Sequence, residues 1–319
     1  MNRKARRAAN TSAGSMGSQE QLRQWLAQAL AALNQNNPVM AARAAQAALA
    51  VNSNAPEAHY LLATAKLLQG RLEEAIPLYR RTVALAPSLA EAHNNLGIAL
   101  ERTGQLDDAL QSYRNAVALR SRYAEAQTNL GNLLLTRGQS SDAITALRAA
   151  IAADASRAEG WYNLANALAR ADQLVEAEGA YKQAIAKRSG FIEALNNLST
   201  LLSKMGRAAE AEAVSHQAVR VNPNLPESHF NLGDALRGAG RLNDAIAAYR
   251  RVIALRPGDT EARIAIGNIL LAQSRADEAR AIFQEAQRLR PVAKRPAIKN
   301  PADFSALLLL APGAANTPM

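Results

Sequence analysis

The sequence predicts an all-α protein in which pairs of helices repeat along the chain and stack as an α-solenoid. Two observations predict this class. The composition is rich in alanine and leucine, with aromatic residues at 4% and only 17 glycines in 319 residues, a usage that favours helices over strands. The chain also resembles itself every 34 residues over most of its length, which is the signature of a repeat architecture.

The repeat is clearest when units of 34 residues are counted from Pro56, so that units begin at 56, 90, 124, 158, 192, 226 and 260. Position 24 is aromatic in five of these units and departs at Leu147 and Ser215. A degenerate unit near residue 22 keeps Trp25 at position 4. We therefore expect seven to eight units between residues 22 and 292. Position 20 is alanine in every unit: Ala75, Ala109, Ala143, Ala177, Ala211, Ala245 and Ala279.

Each position of the unit has a physical reason. Apolar residues at positions 4, 7, 8 and 11 follow helical spacing and predict a first helix with one apolar face. Glycine at position 15, present in five units, ends that helix because glycine adopts the left-handed cap conformation at little cost. Small residues at positions 8, 20 and 27 let a second helix approach closely, and proline at position 32 ends it. One helix pair cannot bury its own apolar face, so neighbouring units must stack.

This pattern resembles the tetratricopeptide repeat (TPR) family, whose consensus is Trp-x2-Leu-Gly-x2-Tyr followed by Ala, Phe, Ala and Pro. The unit 158–191 carries Trp161 at the tryptophan position, although Ser189 replaces the usual proline. The resemblance covers about residues 22–292. It implies a right-handed superhelix whose first helices line a concave inner wall.

Both ends of the chain are predicted to lie outside the repeats. Residues 1–21 begin with a basic cluster and lack an apolar segment, so we expect a disordered basic tail and not a secretory signal. Residues 293–319 begin with a basic, proline-punctuated linker. The run SALLLLA at 305–311 is either part of a helix that caps the last repeat, with Asn300 as its N-cap, or the first strand of a further domain, since so short a run is typical of both.

Composition and charge argue against several classes of function. The net charge is +10, but residues 1–20 and 286–319 together carry +7 of it, which leaves +3 on the 265 residues between them. So weak a charge does not predict a nucleic-acid-binding face. The chain has no cysteine, which excludes disulfides and thiolate metal ligands. The apolar run at 306–311 is too short to span a bilayer, so we expect a cytoplasmic protein with no membrane insertion.

No catalytic or metal site is predicted within the repeats. His59, His93 and His229 occupy position 4, where the consensus has tryptophan, and do not cluster as metal ligands do. Acidic residues at position 19 fall in the first turn of the second helix, where the helix dipole stabilises them, and we do not interpret them as catalytic carboxylates. We therefore expect no metal, no cofactor and no catalysis by the repeats. These acidic residues are Glu74, Asp108, Asp142, Glu176, Glu210, Asp244 and Glu278.

Asparagine recurs at position 6 in five consecutive units, and this row is called the asparagine ladder: Asn95, Asn129, Asn163, Asn197 and Asn231. Position 9, one turn further on the same side of the helix, adds four more polar residues: Asn132, Asn166, Asp234 and Asn268. Asparagine is a middling helix former, so its recurrence needs a reason. An amide both donates and accepts, so the row suits the backbone of an extended peptide. The other interpretation is that the amides bond to neighbouring helices and stiffen the stack. We take all nine residues as candidate peptide-binding residues.

The ladder, in its NLG contexts, resembles the superhelical repeat region of O-linked N-acetylglucosamine transferases, which implies contacts with the backbone of protein substrates. We therefore predict a non-catalytic interaction scaffold that binds an extended peptide or protein segment in the concave groove. The alternative is the substrate-recognition arm of a larger enzyme, such as a glycosyltransferase, whose catalytic domain lies beyond residue 319. A carboxylate clamp, which uses Lys and Arg beside its asparagines, is disfavoured because position 2 is glutamate in every unit.

Overall fold

The computed structural model describes residues 3–289, with side chains from residue 17 onward. Over this range the chain forms sixteen α-helices and no strand, which confirms the all-α class. The helices are α1 (Arg3–Asn34), α2 (Pro38–Val51), α3 (Pro56–Leu68), α4 (Leu72–Leu85), α5 (Ala90–Arg102), α6 (Leu106–Leu119), α7 (Ala124–Thr136), α8 (Ser140–Ala153), α9 (Ala158–Arg170), α10 (Leu174–Lys187), α11 (Ile192–Lys204), α12 (Ala208–Val221), α13 (Pro226–Gly238), α14 (Leu242–Leu255), α15 (Thr260–Ala272) and α16 (Ala276–Leu289).

The helices follow the 34-residue period. From α3 onward, every odd-numbered helix begins at a unit start predicted from the sequence, and every even-numbered helix covers positions 17 to 30 of its unit. The odd-numbered helices are the first helices of the units and the even-numbered ones are the second. With α1 and α2 as the degenerate first unit, the described range holds eight repeats, within the predicted seven to eight.

The structure differs from the sequence-based expectation at the N-terminal end. Helix α1 begins at Arg3, so most of the segment 1–21 that the sequence predicts as a disordered tail is helical. The segment has no proline, and its alanines and arginines are good helix formers. The predicted linker and capping helix or strand at 293–319 lie outside the described residues.

The chain divides into two compact units, Met1–Ala171 with helices α1 to α9 and Asp172–Met319 with helices α10 to α16. The alanines at position 20 are fully buried in both units. In the second unit, Tyr249 and Phe283 lie in one apolar cluster with Leu232, Leu236 and Ile266. In the first unit, small residues such as Ala41 and Ala45 pack beside Leu61 and Leu62.

Close packing inside a repeat depends on the pair at positions 8 and 24. A Cβ atom on Gly233 would lie 2.6 Å from Cε1 of Tyr249, and Gly97 and Gly267 stand equally close to the rings of Tyr113 and Phe283. In the unit that begins at 192 both positions are serine, and the two Oγ atoms are 2.6 Å apart with both side chains fully buried. The departure at Ser215 is therefore matched by Ser199, since a hydroxyl pair replaces the glycine and the ring.

Position 15 has a positive φ in every repeat. Glycine holds it in five of them, with φ from 73° at Gly206 to 79° at Gly104. Asn36, Asp172 and Ser274 hold it in the other three, with φ of 54, 58 and 60°. The cap predicted from the sequence is thus a property of the repeat, and three side chains are held in a backbone conformation that favours glycine.

We expect the substitution Ser274→Gly to raise the free energy of unfolding by about 0.5–1 kcal/mol. An L-residue in the left-handed region costs about 1–2 kcal/mol, which the greater backbone entropy of glycine in the unfolded chain partly offsets. Chemical denaturation measures the change. The reverse substitution at the equivalent position, Gly240→Ser, should lower the stability by a similar amount, and equal stabilities for both variants and the parent would contradict this explanation.

Candidate functional site

The nine predicted site residues lie on first helices, and all of them are half-buried. Asn95, Asn129 and Asn163 lie on α5, α7 and α9 in the first unit. Asn197 and Asn231 lie on α11 and α13 in the second unit. Each of these residues is therefore partly accessible to solvent and partly packed against the protein.

In the first unit the amides form a network that joins three first helices. Asn129 Nδ2 on α7 donates to Asn94 Oδ1 on α5 over 3.0 Å, and Asn94 Nδ2 donates to Asn95 Oδ1 and to Glu125 Oε1, each over 3.3 Å. Asn95 Nδ2 then donates to the Tyr60 hydroxyl on α3 over 3.1 Å. Burial raises the pKa of Tyr60, so its hydroxyl stays protonated near neutral pH. The network bonds neighbouring helices to each other.

The second unit repeats this connection with one bond. Asn231 Nδ2 donates to the backbone oxygen of Asn196 over 3.3 Å. In each case the position-6 amide reaches position 5 of the preceding repeat, 35 residues earlier in the chain. Asn197 also makes an interaction within the protein. Asn163 differs, because within the described residues its side chain has no hydrogen-bond partner.

The position-9 residues have unequal environments. Asp234 Oδ1 accepts hydrogen bonds from the Tyr249 hydroxyl over 2.7 Å and from Arg237 Nη2 over 3.1 Å. Burial, and then the charge of Asp234, raise the pKa of Tyr249. Asn166 is also engaged within the protein, whereas Asn268 Oδ1 is buried without a partner. Asp234 therefore supports the buried ring of its own repeat.

The glutamates at position 2 and the arginines at position 31 form a second recurrent pair. Glu91 Oε1 and Arg120 Nη2 are 2.6 Å apart, and Glu227 pairs with Arg256 in the same way. The Arg256 guanidinium lowers the pKa of Glu227. In the repeat of Glu125, position 31 is residue 154, which is an aspartate and not an arginine. Glu125 accepts a hydrogen bond from Asn94 instead.

The histidines at position 4 make structural bonds. His59, His93 and His229 place Nε2 at 2.9, 3.0 and 2.8 Å from the backbone oxygen six residues earlier. A carbonyl only accepts, so each Nε2 carries the proton. Trp161 Nε1 makes the same bond to Ala155 O over 3.0 Å. Histidine therefore takes the part of tryptophan at this position, and no group of three or more metal-ligating side chains occurs in the described part of the chain.

The acidic residues at position 19 are neutralised where arginine stands at position 16. Arg275 contacts Glu278 over 2.8 Å and lowers the pKa of that carboxyl. The same contact joins Arg71 to Glu74, Arg207 to Glu210 and Arg241 to Asp244. These pairs lie within a single helical turn, and their arrangement is that of a helix start.

Residues 88–300, more than half of the chain, match the family model described as the cilia and flagella-associated protein 70 C-terminal domain, which is a TPR model. The chain therefore belongs to this family and is a TPR protein. A second model, described as the tetratricopeptide repeat, matches residues 26–90. No curated protein matches this chain in sequence.

Solved TPR structures share the fold at low sequence identity. The C-terminal part of a TPR repeat-containing protein from Cytophaga hutchinsonii has a TM-score of 0.63 at 15% identity, over 76% of this chain and 99% of that chain. PilF of Pseudomonas aeruginosa has 0.59 at 20%, over 66% and 96%. YrrB, described as a TPR protein with an unusual peptide-binding site, has 0.50 at 20%, over 56% and 92%. At these identities the likeness shows the TPR fold alone.

None of the described helices of this TPR protein combines the length and the apolar character that crossing a membrane requires.

Two asparagines that bond to ladder residues were missed in the sequence-based prediction. Asn94 is fully buried and links Asn95, Asn129 and Glu125, and Asn196 supplies the oxygen that Asn231 contacts. Both occupy position 5 and precede a ladder residue, so the doubled asparagines at 94–95 and 196–197 were the available signal. A search for recurrent asparagine at position 6 alone does not find them.

Proposed function

We propose that this TPR protein is a non-catalytic scaffold that binds an extended peptide or protein segment along the first helices of its repeats. The observation that carries the proposal is the row of half-buried amides that continues across α5, α7 and α9. YrrB, a protein of the same fold, is described as having a peptide-binding site. The bound segment would lie against the concave wall that first helices line in this class of repeat.

The amides retain hydrogen-bonding capacity for a ligand. A primary amide has two N–H donors and a carbonyl with two lone pairs. Asn129 uses a single donor on Asn94, and Asn163 uses none of its groups within the described residues. The bond to Asn94 therefore orients the Asn129 side chain, and both amides keep groups for a partner. A peptide backbone offers both donors and acceptors at regular intervals, so it matches such a row whatever its side chains are.

The expected strength of these contacts limits what they achieve alone. Each net hydrogen bond contributes about 0.5–1.5 kcal/mol, and ordering a flexible peptide opposes binding. The ladder therefore supplies general affinity for extended chains. Selectivity must come from the partner's side chains in pockets beside the ladder.

Backbone N-methylation of a bound peptide tests the proposal. A binding peptide is first selected from a phage-displayed random library on the full chain. We then expect methylation of single backbone nitrogens to weaken binding about three- to tenfold at alternate positions, because each lost N–H removes one amide contact. Alanine substitutions at the same peptide positions serve as the matched control. Uniformly small effects of N-methylation, with large effects of side-chain removal, would contradict backbone recognition.

The ladder also favours a second candidate function, the recognition of substrates for a glycosyltransferase. The resemblance to O-linked N-acetylglucosamine transferases implies that the asparagines at position 6 contact protein substrates. The repeats would then present a peptide to a glycosyltransferase domain on a longer polypeptide. The intact protein from its native source should in that case transfer sugar from UDP-N-acetylglucosamine to peptides that the repeats bind. If the intact protein binds those peptides but transfers no sugar to them, the scaffold function is supported and the second candidate fails.

A further inference from the structure

A cavity of about 670 Å³ lies in the second unit beside the ladder. It is formed by the starts of helices α11 and α13 and the loops that precede them. Its lining combines apolar walls, acidic groups and amides, contributed by Ile192, Glu193, Asn196, Asn222, Leu225 and Glu227. We call this cavity the Glu193 pocket.

The next repeat has a corresponding but much smaller cavity of about 150 Å³. Six of its eight lining residues are those of the Glu193 pocket moved by 34 positions, with Glu227 in the place of Glu193. Two of the replacements are large. Phe230 stands where the first cavity has Asn196, and Arg256 stands where it has Asn222. The Glu193 pocket is therefore open where the next repeat carries a ring and a guanidinium.

The arginine at position 31 is the group that the Glu193 pocket lacks. Arg120 and Arg256 each pair with the position-2 glutamate of their own repeat. In the repeat that begins at 192 this position is Asn222, whose Oδ1 accepts from the backbone of Asn224 over 3.0 Å. Within the described residues, Glu193 consequently makes no ion pair, and it is exposed.

A second polar group of the pocket also lacks its partner. Asn196 is 9% exposed, and its Oδ1 is buried without any hydrogen-bond donor. A buried carbonyl oxygen left in this state is unfavourable by about 1–3 kcal/mol. The Glu193 carboxylate, which makes no ion pair, and the buried Asn196 Oδ1 are both acceptors. The missing partner is therefore a donor, and the carboxylate favours a cation.

The basic residue of the lining does not meet this need. The Arg188 guanidinium lies over the ring of Phe191, 3.5 Å from its centroid, in a cation–π contact. Glu227, the other acidic residue, already has Arg256. Among the described residues, Glu193 is thus the acidic group of the pocket that makes no ion pair.

We propose that the Glu193 pocket binds an arginine side chain of the partner, which supplies from outside the guanidinium that Arg120 and Arg256 supply within the chain. This proposal rests on the proposed function, since the arginine belongs to the bound peptide. Arginine fits better than lysine because its planar group has five N–H donors and reaches a carboxylate and an amide oxygen together. Ile192 and Leu225 provide apolar contacts for its aliphatic stem.

Two small probes test the pocket on the full chain. N-acetyl-arginine amide and its uncharged isostere N-acetyl-citrulline amide are titrated while the ¹⁵N–¹H signals of the protein are followed by NMR. We expect saturable shifts at Asn196, Ile192 and Leu225 with the arginine probe, and binding of the citrulline probe at least about tenfold weaker because it has no charge. Equal binding of both probes, or shifts spread over other sites, would overturn the proposal.

Three variants locate the binding. Glu193→Gln should weaken binding of the arginine probe about tenfold or more, while Glu91→Gln, the same change at a glutamate with its own arginine, should leave it unchanged. Asn222→Arg should abolish probe binding, because it restores the position-31 arginine that pairs with Glu193. Melting temperatures near that of the parent show that the variants fold. Undiminished binding by Glu193→Gln contradicts the assignment.

The outcome separates this inference from the proposed function. If library-selected peptides bind through the backbone but neither contain arginine nor respond to Glu193→Gln, only the pocket assignment fails. If the arginine probe binds the pocket but no peptide responds to N-methylation, the backbone proposal fails and the pocket stands as an arginine site.

Discussion

Replacing Gly233 with alanine is expected to lower the free energy of unfolding by about 1–3 kcal/mol, the range found for overpacked cores. The new Cβ would lie 2.6 Å from Cε1 of Tyr249 and 2.8 Å from Cδ1 and Cζ of the same ring. The ring has little freedom to move, because it is fully buried and its hydroxyl donates to Asp234 over 2.7 Å. Relief requires α13 to shift away from α14, which disturbs the whole cluster around Tyr249.

Gly179→Ala is the matched control for this prediction. Gly179 also lies inside a helix, α10, in the same unit, and a Cβ there would meet no atom within 4 Å. Alanine favours the helix over glycine by about 0.5–1 kcal/mol, so this variant should be more stable than the parent. Urea denaturation gives both values. A stabilised Gly233→Ala variant would show that positions 8 and 24 are not closely packed.

The fold was largely predictable from the sequence because its strongest signals are local and repeat. Gly104 and Gly240 predicted a left-handed cap at position 15. Asp172 and Ser274 occupy the same position and have the same positive φ, although their residue types alone do not predict it. The start of α1 was not predictable in this way. Its segment lies outside the 34-residue period, and the basic composition that suggested a tail is also compatible with a helix.

The candidate site was predictable only in part. The period of Asn95 and Asn129 showed that position 6 is special, and helical geometry placed it beside position 9. Which residue each amide contacts was not evident, because the bond reaches position 5 of the preceding repeat and depends on how two helices stack. Asn94 and Tyr60 both occupy that position, although one is an amide and the other a phenol, so no single residue type marks the contact.

The second large effect is expected from the ladder itself, where Asn129→Ala and Asn163→Ala should behave differently. Loss of the Asn129 amide leaves Asn94 Oδ1, in a fully buried side chain, without the donor that now lies at 3.0 Å. We expect this to lower the stability by about 1–3 kcal/mol. The Asn163 amide has no partner within the described residues, so Asn163→Ala should unfold at the denaturant concentration of the parent. A large loss of stability in Asn163→Ala would indicate that the asparagine ladder only stabilises the stack of helices.

The dissociation constant of a library-selected peptide for the parent and for Asn163→Ala tests the central claim most directly. Isothermal titration on the full chain gives both values, with Asn115→Ala as a control, since Asn115 contacts Gln111 over 2.9 Å on the second helix α6, away from the ladder. Loss of one amide contact predicts binding about three- to tenfold weaker for Asn163→Ala at unchanged stability, and parental binding for Asn115→Ala. Equal dissociation constants for the parent and Asn163→Ala would contradict peptide binding by the asparagine ladder.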